Sequence, residues 1–439
     1  MTNLAIGRMD LPDEQGWLAL NGSTVMDGLV DSQYQFQPSD EQITQENVLL
    51  RLRGSAAQLR TWLDRLEQFQ LQPCDLFLRI WSDDHNSYGH AHIHKISLET
   101  QPGHLPSHER GSLQLKLSFL RETLFFGEEK PLPLRNSSGG GQTSGLTISN
   151  HDDSTIGHDN WFGVDNADLQ LLYPALTRFQ FENNFNGADL DDFWVGSLPC
   201  GLGNTRPTLN LEAENGIGGT VVSNSQASAG KYCQYRWSGS GWQTLSSWVL
   251  GPLEVSQLTG GTVLPLLRFF NTPSSSSLQL RIAINVMGKL VFEGPACYHR
   301  SGKGFSSLEP LGLPLGQLPL EDFACHHQLV LQAKQTDVGE HLLELDDLLL
   351  LPQHGFVQYH ALGGLACGSK LVEDQITGKS WSWLEGMEFK SHSRAGTGLE
   401  LLPTIQQHYW CFQTGSDGKA TIDRTLSVRA WYRQQWRLP

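Results

Sequence analysis

The sequence predicts a mostly β, multi-domain protein, and three observations carry the prediction. Glycine is frequent, with 45 residues, and glycine-containing turn pairs recur along the chain. Charged residues make up only 18% of the chain, whereas 13 tryptophans and 19 phenylalanines are available to fill the cores between sheets. The length of 439 residues exceeds one ordinary core and suits roughly two to four domains.

The first domain combines strands with one amphipathic helix. Residues 47–52 read as a strand, and Ser55 followed three residues later by Gln58 has the spacing of a capping box. Apolar residues then recur at helical spacing from Leu59 to Phe69. Residues 1–138 are therefore expected to form one sheet with one helix packed on it, and the further strand-like runs are 75–81, 91–98 and 112–120.

The rest of the chain is strand-like after a polar interruption. Residues 139–174 begin with glycine and serine and are expected to be a linker and loop region. Turn residues then recur about every 8–12 positions, which predicts a β-sandwich over residues 175–353. Residues 354–439 resemble the segment before Gly139 in texture. We expect them to pack with the N-terminal domain, which makes the sandwich an insertion.

Charge and hydropathy exclude several classes of partner. The formal net charge is −15, and phosphate contacts need clustered lysine and arginine, so no nucleic-acid partner is expected. No apolar run approaches the roughly 18 residues that a membrane span requires. The first residues lack the apolar core of a signal peptide, which indicates synthesis in a cytoplasm without membrane insertion.

Catalytic motifs are not found in the sequence. There is no G-x-S-x-G, no phosphate loop and no H-E-x-x-H. Adjacent acids such as Asp191 and Asp192 point to opposite faces of a strand and do not by themselves form an acid–base couple. The sequence therefore predicts a protein that is not an enzyme, with no catalytic residue and no cofactor.

Two polar patterns could hold a cation. His90, His92 and His94 alternate along one strand and share a face, and three imidazoles on one face can bind zinc or a similar ion. The alternative is a polar strand face. A second cluster comprises residues 150–153 and 158–160, although Asx-rich segments more often satisfy their own backbone.

Aromatic residues of the middle domain suggest a sugar-binding platform. Tyr235, Trp237 and Trp242 are the candidates on which a sugar ring could stack. The alternative is a buried position, because a sandwich core needs aromatics at about this density. Among the candidates, the loop tip at residues 238–242 is favoured over strand positions.

Short motifs of the middle segment resemble a known sandwich family. They are Glu212-Ala213-Glu214, the turn at residues 227–230, and Asp346-Asp347 near the end of the segment. This set is similar to the jelly-roll sandwich of carbohydrate-binding modules. The resemblance implies a jelly-roll fold over residues 175–353 and a glycan as a candidate ligand.

The flanking segments resemble distal-tail or baseplate proteins of long-tailed bacteriophages. The resemblance is carried by residues 50–55 leading into the helix, 115–119 with Arg121, 131–134, 146–153 and 428–433. It implies a split-barrel-like N-terminal domain that builds a ring on the tail tube, with the jelly roll displayed outside. It also implies a homo-oligomer, with six copies around the tube, and the tail tube, hub and fibres as partners.

This resemblance predicts a virion tail component that is assembled in the host cytoplasm. The jelly roll would contact a host surface glycan or dock other tail proteins. One alternative is a free carbohydrate-binding protein or adhesin, which would be monomeric. Another is a glycan hydrolase, which needs two carboxylates about 5–10 Å apart in a cleft, and the sequence places no such pair.

Overall fold

A computed structural model describes most of the chain. The described residues are 2–9, 16–23, 29–34, 42–71, 75–82, 85–100, 112–151, 155–165, 169–200, 210–251, 262–271, 277–299, 304–308, 311–312, 327–337, 339–352, 355–360, 364–384, 387–389, 393–403 and 406–437.

Strands account for 62% of the structure, which confirms the mostly β, multi-sheet prediction. The chain forms two compact units. Unit 1 comprises Met1–Lys130, Leu171–Leu176 and Tyr432–Pro439, and unit 2 comprises Pro131–Gln170 and Thr177–Trp431. Across the described residues, no helix has both the length and the apolar character needed to cross a bilayer.

Within the part of it that the structure describes, unit 1 is a curled, half-barrel sheet with one helix. With strands numbered in chain order through the whole protein, its elements are β1 (Thr2–Gly7), β2 (Trp17–Ala19), β3 (Gly22–Ser23), β4 (Leu29–Tyr34), β5 (Ile43–Arg53), α1 (Ala56–Leu71), β6 (Phe77–Ser82), β7 (His85–Thr100), β8 (Ser112–Glu122), β9 (Phe125–Phe126) and β36 (Gln435–Trp436). The sheet order is β2-β1-β6-β7-β8-β5-β4-β3, and β9 pairs with both β7 and β36.

Helix α1 begins and packs as its sequence predicts. The Ser55 backbone N–H donates to Oε1 of Gln58 over 2.7 Å, and the Gln58 N–H donates to Oγ of Ser55 over 3.3 Å, which confirms the capping box. The buried face consists of Leu59, Trp62, Leu66 and Phe69. It joins one apolar core with the inward residues of β5 and β8, two strands that alternate between buried and less buried positions.

A buried ion pair fixes the ends of β5 and β8. The Arg121 guanidinium donates to both carboxylate oxygens of Glu46, over 2.8 and 2.7 Å, and both side chains are almost fully buried. Its remaining nitrogen, Nη1, donates to the carbonyl oxygens of Glu122 and Thr123. The guanidinium also lies 4.4 Å from the ring centre of Phe125. Every charged donor therefore has a partner, as a buried pair requires.

Replacing Arg121 with alanine should destabilise unit 1 by about 3–5 kcal/mol, because the Glu46 carboxylate would remain buried without its partner. Hydrogen exchange of the β5 and β8 amides under increasing urea measures this loss. The matched control is Lys116→Ala, which breaks the exposed pair between Lys116 and Glu99 and should cost less than about 1 kcal/mol. Equal losses in the two variants would contradict the assigned importance of the buried pair.

Unit 2 contains two β-sandwiches. Strands before the insertion are β10 (Lys130–Pro131), β11 (Leu134–Asn136), β12 (Gly139–Gln142), β13 (Leu146–Ser149), β14 (Trp161–Asp165), β15 (Leu176–Asn183) and β16 (Leu190–Cys200). Inserted strands are β17 (Asn210–Glu212), β18 (Thr220–Ser223), β19 (Lys231–Ser238), β20 (Gln243–Leu250), β21 (Thr262–Asn271), β22 (Gln279–Val286), β23 (Lys289–Glu293), β24 (Cys297–Tyr298), β25 (Phe305–Ser307), β26 (Leu311–Gly312), β27 (His327–Lys334) and β28 (Glu340–Pro352). Strands after it are β29 (Phe356–His360), β30 (Lys370–Asp374), β31 (Lys379–Leu384), β32 (Met387–Phe389), β33 (Ser393–Gly396), β34 (Gln406–Gly415) and β35 (Thr425–Arg433).

The first sandwich consists of two seven-stranded sheets. One has the order β10-β35-β15-β30-β31-β32, with β13 on β35, and the other has the order β12-β11-β14-β34-β16-β29-β33. Aromatic rings from the two sheets meet between them. Phe179 of β15 lies 5.8 Å from Phe162 of β14 and 5.1 Å from Tyr409 of β34, measured between ring centres. These contacts define the core of the first sandwich.

The second sandwich occupies residues 210–352 and is inserted between β16 and β29. Its seven-stranded sheet has the order β18-β19-β28-β21-β25, with β17 on β28 and β26 on β21. The five-stranded sheet has the order β20-β27-β22-β23, with β24 on β22. Side chains from both sheets, including Trp248, Leu267 and Ile282, belong to one buried cluster.

The domain boundaries differ from those expected from the sequence. The segment 139–174, expected to be a linker, contains β12, β13 and β14, which pair with β11, β35 and β34. Gly139 and Gly141 have positive φ angles in the β11–β12 hairpin, so the glycine run encodes a tight hairpin. Residues 356–431, expected to pack with the N-terminal domain, belong to unit 2, and β36 returns to unit 1. The local sequence pattern alone could not predict which unit these residues join, because it does not specify a distant partner strand.

Gly163 allows two aromatic rings to pack on one strand pair. It lies opposite His408 in the β14–β34 register. The His408 ring stacks on Trp161 with the ring centres 4.6 Å apart. A Cβ atom at position 163 would lie 2.9 Å from Cδ2 of His408. A side chain there would therefore displace a buried ring.

We expect Gly163→Ala to lower the stability of unit 2 by about 1–3 kcal/mol through overpacking. Differential scanning calorimetry of the full chain measures the effect. Gly241→Ala serves as the control, since a Cβ atom at Gly241 would meet nothing within 4 Å. A melting temperature unchanged by Gly163→Ala would show that the His408 ring can move aside at no cost.

Candidate functional site

Two histidines and one glutamate come together on neighbouring strands of unit 1. Ile93 pairs with Arg121 and Lys95 pairs with Leu120, so His94 is the extra residue of a β-bulge. His92 precedes the bulge and lies beside the end of β8, where Glu122 is located. One ligand atom from each of His92, His94 and Glu122 lies within 4.8 Å of the others.

Burial affects the titration of two members of this cluster. The pKa of His92 is lowered, first by burial and then by the neighbouring imidazole of His94, whereas the carboxylate of Asp75 acts in the opposite direction. Burial raises the pKa of Glu122. Nε2 of His94 lies 3.8 Å from Oε1 of Glu122, and the two imidazole rings meet edge-on with centres 4.8 Å apart. His92 therefore favours its neutral form, which is the form that binds metals.

The structure does not bring all three predicted histidines together. His90 is buried, accepts a hydrogen bond from Nε of Arg79 over 3.3 Å, and packs against Trp17 and Phe126. Alternation places the three histidines on one face, but the first and third are about 13 Å apart along a strand. A residue from the adjacent strand can reach the pair, and Glu122 does so. The sequence analysis missed Glu122 because the register between β7 and β8 depends on the bulge.

The second polar cluster ties loops to strands. The Asn150 amide donates to the carbonyl oxygens of Gln413 and Thr421, and its Oδ1 accepts from the Gln413 N–H. The rings of His151 and His158 stack with centres 4.1 Å apart. Asp152 and Asp153 lie outside the described residues. Asn150 therefore satisfies backbone groups, which is the structural alternative anticipated from the sequence.

The predicted sugar-stacking residues are mostly core residues. Tyr235 and Trp237 are buried in the second sandwich, so neither can offer a ring face to a sugar, because the opposing sheet covers it. Trp242 is partly exposed, and the Arg281 guanidinium lies 4.2 Å from its ring centre. Two exposed aromatics were not anticipated, namely Tyr298, 68% exposed, and Trp383, 41% exposed.

A buried charge cluster in the second sandwich was also not anticipated as a unit. Arg268 of β21 contacts two adjacent carboxylates of β28, with Nη2 against Asp347 and Nε 3.3 Å from Oδ2 of Asp346. Its Nη1 donates to the carbonyl of Asn150. Glu212 of β17 approaches the same group through Ser228. Arg268 thus contacts two buried carboxylates, and the carboxyl group of Glu212 lies near by and acts on it electrostatically.

The Ser228 hydroxyl bridges Glu212 and Asp346. Its Oγ lies 2.6 Å from Oε2 of Glu212 and 3.0 Å from Oδ1 of Asp346 and is the donor towards both carboxyl groups. Burial, followed by the negative charge of Asp347, raises the pKa of Glu212 well above its ordinary value, although the Ser228 hydrogen bond and Arg268 act in the opposite direction. The raised pKa favours the protonated form of Glu212.

Stability of unit 2 should fall as the pH rises from the ordinary pKa of Glu212, 4.5, through its raised folded-state pKa. In this window the folded state holds a proton that the unfolded chain has lost, so the free energy of unfolding falls by about 1.4 kcal/mol per pH unit. Glu212→Gln should remove this dependence, because the amide keeps an oxygen that accepts from Ser228 and does not titrate.

Urea unfolding at several pH values, monitored by tryptophan fluorescence, measures this dependence. The control is Glu340→Gln at a side chain that is 68% exposed, which should retain the wild-type pH profile. Identical profiles for the wild type and Glu212→Gln would show that Glu212 is ionised in the folded state.

Comparison with known proteins gives distant structural likenesses. No protein-family model matches the chain, and no curated protein matches it. It is similar to a chain of the phage P2 baseplate in its activated conformation with Ca, with 9% identity, a TM-score of 0.19, and coverage of 79% of this chain and 97% of that one. It is also similar to the VP2 subviral particle of infectious bursal disease virus, with 11% identity, a TM-score of 0.17, and coverage of 72% and 82%.

A third similar structure is an enzyme, the exo-beta-1,3-galactanase of Phanerochaete chrysosporium with galactose. It is 12% identical with a TM-score of 0.20, and the match covers 76% of this chain and 86% of that one. TM-scores of this size do not establish a shared overall fold. The functional argument therefore depends on the residues and units described above.

Proposed function

We propose that this protein is a structural component of a phage tail tip or baseplate. In this proposal unit 1 forms a ring at the end of the tail tube, with six copies in the ring. Unit 2 is displayed by the ring for contact with a host surface glycan or for docking of other tail proteins. The protein would belong to the virion tail and assemble in the host cytoplasm.

The division of the chain into units is the observation that carries this proposal. The polypeptide leaves unit 1 after Lys130, returns briefly at Leu171–Leu176, and returns again at Tyr432, after which β36 pairs with β9. The resemblance of the flanking segments to distal-tail proteins implies the same order, in which a long insertion into the assembly domain forms a sandwich. A curled sheet with one helix, as in unit 1, also suits the split-barrel-like domain that the resemblance implies.

One face of the unit 1 sheet has features of an assembly surface. Outward residues of β5 alternate with buried ones, and they include Ile43 at 45% and Leu49 at 39% exposure. Contiguous exposed apolar area is typical of surfaces that bind another protein. In a closed ring of more than two copies, two different surfaces of each copy meet head to tail. We place one of these two surfaces on the outer face of β5.

Light scattering of the purified full chain, followed by negative-stain imaging, tests the ring. The expected result is a mass near six times 48.9 kDa and particles with a central hole. Leu49→Arg should shift the protein to monomers by placing a charge in the contact. Leu71→Arg is the matched control, because Leu71 at the end of α1 is 81% exposed and lies outside the proposed contact. A monomer at every concentration, with or without tail tubes, would contradict the ring.

A free carbohydrate-binding protein or adhesin is the second candidate, and the exposed Trp383 and partly exposed Trp242 favour it. It predicts monomers and a glycan-dependent shift in tryptophan fluorescence. Trp383→Ala and Trp242→Ala would identify which ring contacts the sugar. A glycan shift in a monomeric protein would support this candidate over the tail component.

A further inference from the structure

We propose that His92, His94 and Glu122 bind one divalent transition-metal ion of the Zn²⁺ class. The ligand set is two imidazoles and one carboxylate, with the ligand atoms already within 4.8 Å of one another. Nitrogen donors select zinc and its transition-metal neighbours over calcium and magnesium, which prefer oxygen ligands. The proposal does not depend on the ring.

The backbone brings these residues together. Glu122 is the last residue of β8, directly opposite Ile43 on its other neighbour β5. The register Ile93–Arg121 places His92 beside Glu122 across the strand pair. The bulge at His94 then turns the second imidazole towards the same carboxylate, and bulges commonly redirect a side chain in this way.

The guanidinium of Arg121, the neighbouring residue in the chain, is bound to groups other than the Glu122 carboxylate. Arg121 projects from the opposite face of β8. Its guanidinium is bound to the Glu46 carboxylate and to two backbone carbonyls. The contact of Glu122 with His94 is long at 3.8 Å. The Asp75 carboxylate also acts electrostatically on His92. A divalent cation would thus enter a site of negative potential with two nitrogen donors.

Only a small adjustment separates this geometry from that of a bound ion. Zinc bonds of roughly 2.0–2.2 Å place tetrahedral ligand atoms about 3.4 Å apart. The most distant ligand atoms must therefore approach by about 1.4 Å. His94 is exposed and can supply this movement by rotating its side chain. Three protein ligands leave a fourth position for water, as in known zinc sites with an open position.

Calorimetric titration of Zn²⁺ into the EDTA-treated full chain tests the proposal, with Co²⁺ absorption as a spectroscopic readout of the ligand set. The wild type should bind one equivalent through this site. Affinity should fall in His94→Ala and Glu122→Gln by more than the roughly 10–100-fold typical of losing a residue that only orients a ligand. Circular dichroism and thermal melting verify that each variant remains folded.

Two controls separate this site from other histidines. His90→Gln should retain binding, because His90 is bound to Arg79 across the β6–β7 pair, whereas the site lies on β7 and β8. His158→Ala, at the stacked pair with His151, should also retain it. The proposal is overturned if the wild type takes up no metal, if His94→Ala and Glu122→Gln bind as the wild type does, or if Ca²⁺ binds more tightly than Zn²⁺.

Discussion

The pairing of β16 with β34 is the constraint on which the architecture of unit 2 depends. It runs from Leu190 opposite Gly415 to Cys200 opposite Gln406, so it joins two strands that are separated along the chain by the whole second sandwich. β16 also pairs with β29, the first strand after the insertion. The chain therefore enters and leaves the inserted sandwich on adjacent strands. Once that sandwich folds, it holds β16 and β29 near each other. This shortens the effective loop that the pairing of β16 with β34 must close.

Interior charges are accommodated differently in the two units. In unit 1 one guanidinium meets one carboxylate, and Arg121 and Glu46 satisfy each other through two hydrogen bonds. In the second sandwich Arg268 faces Asp346 and Asp347, with Glu212 near by. The raised pKa of Glu212 favours a neutral carboxyl group beside the two aspartates. The same physical requirement, that no buried charge stays unpaired, is met by an ion pair in unit 1 and by a shared guanidinium in the second sandwich.

The proposed assembly surface and the proposed metal site lie on one face of the unit 1 sheet. Glu122 is directly opposite Ile43 in the β5–β8 register, and directly paired residues project to the same side. Leu49 lies further along that face of β5. Because His94 is exposed beside this surface, an open coordination position would be accessible to a donor from outside the chain. The assembly role and the metal site are thus separate hypotheses about neighbouring residues.

The sequence by itself determined the local features of this protein. Strand-like runs predicted parts of β5 and β8, the Ser55–Gln58 spacing predicted the start of α1, and turn residues predicted the β class, because each depends on positions only a few residues apart. The tertiary structure decided the unit boundaries, the position of Glu122 rather than His90 beside His92 and His94, and the burial of Tyr235 and Trp237. Each of these depends on strand register and on partners far along the chain, where no local pattern carries the information.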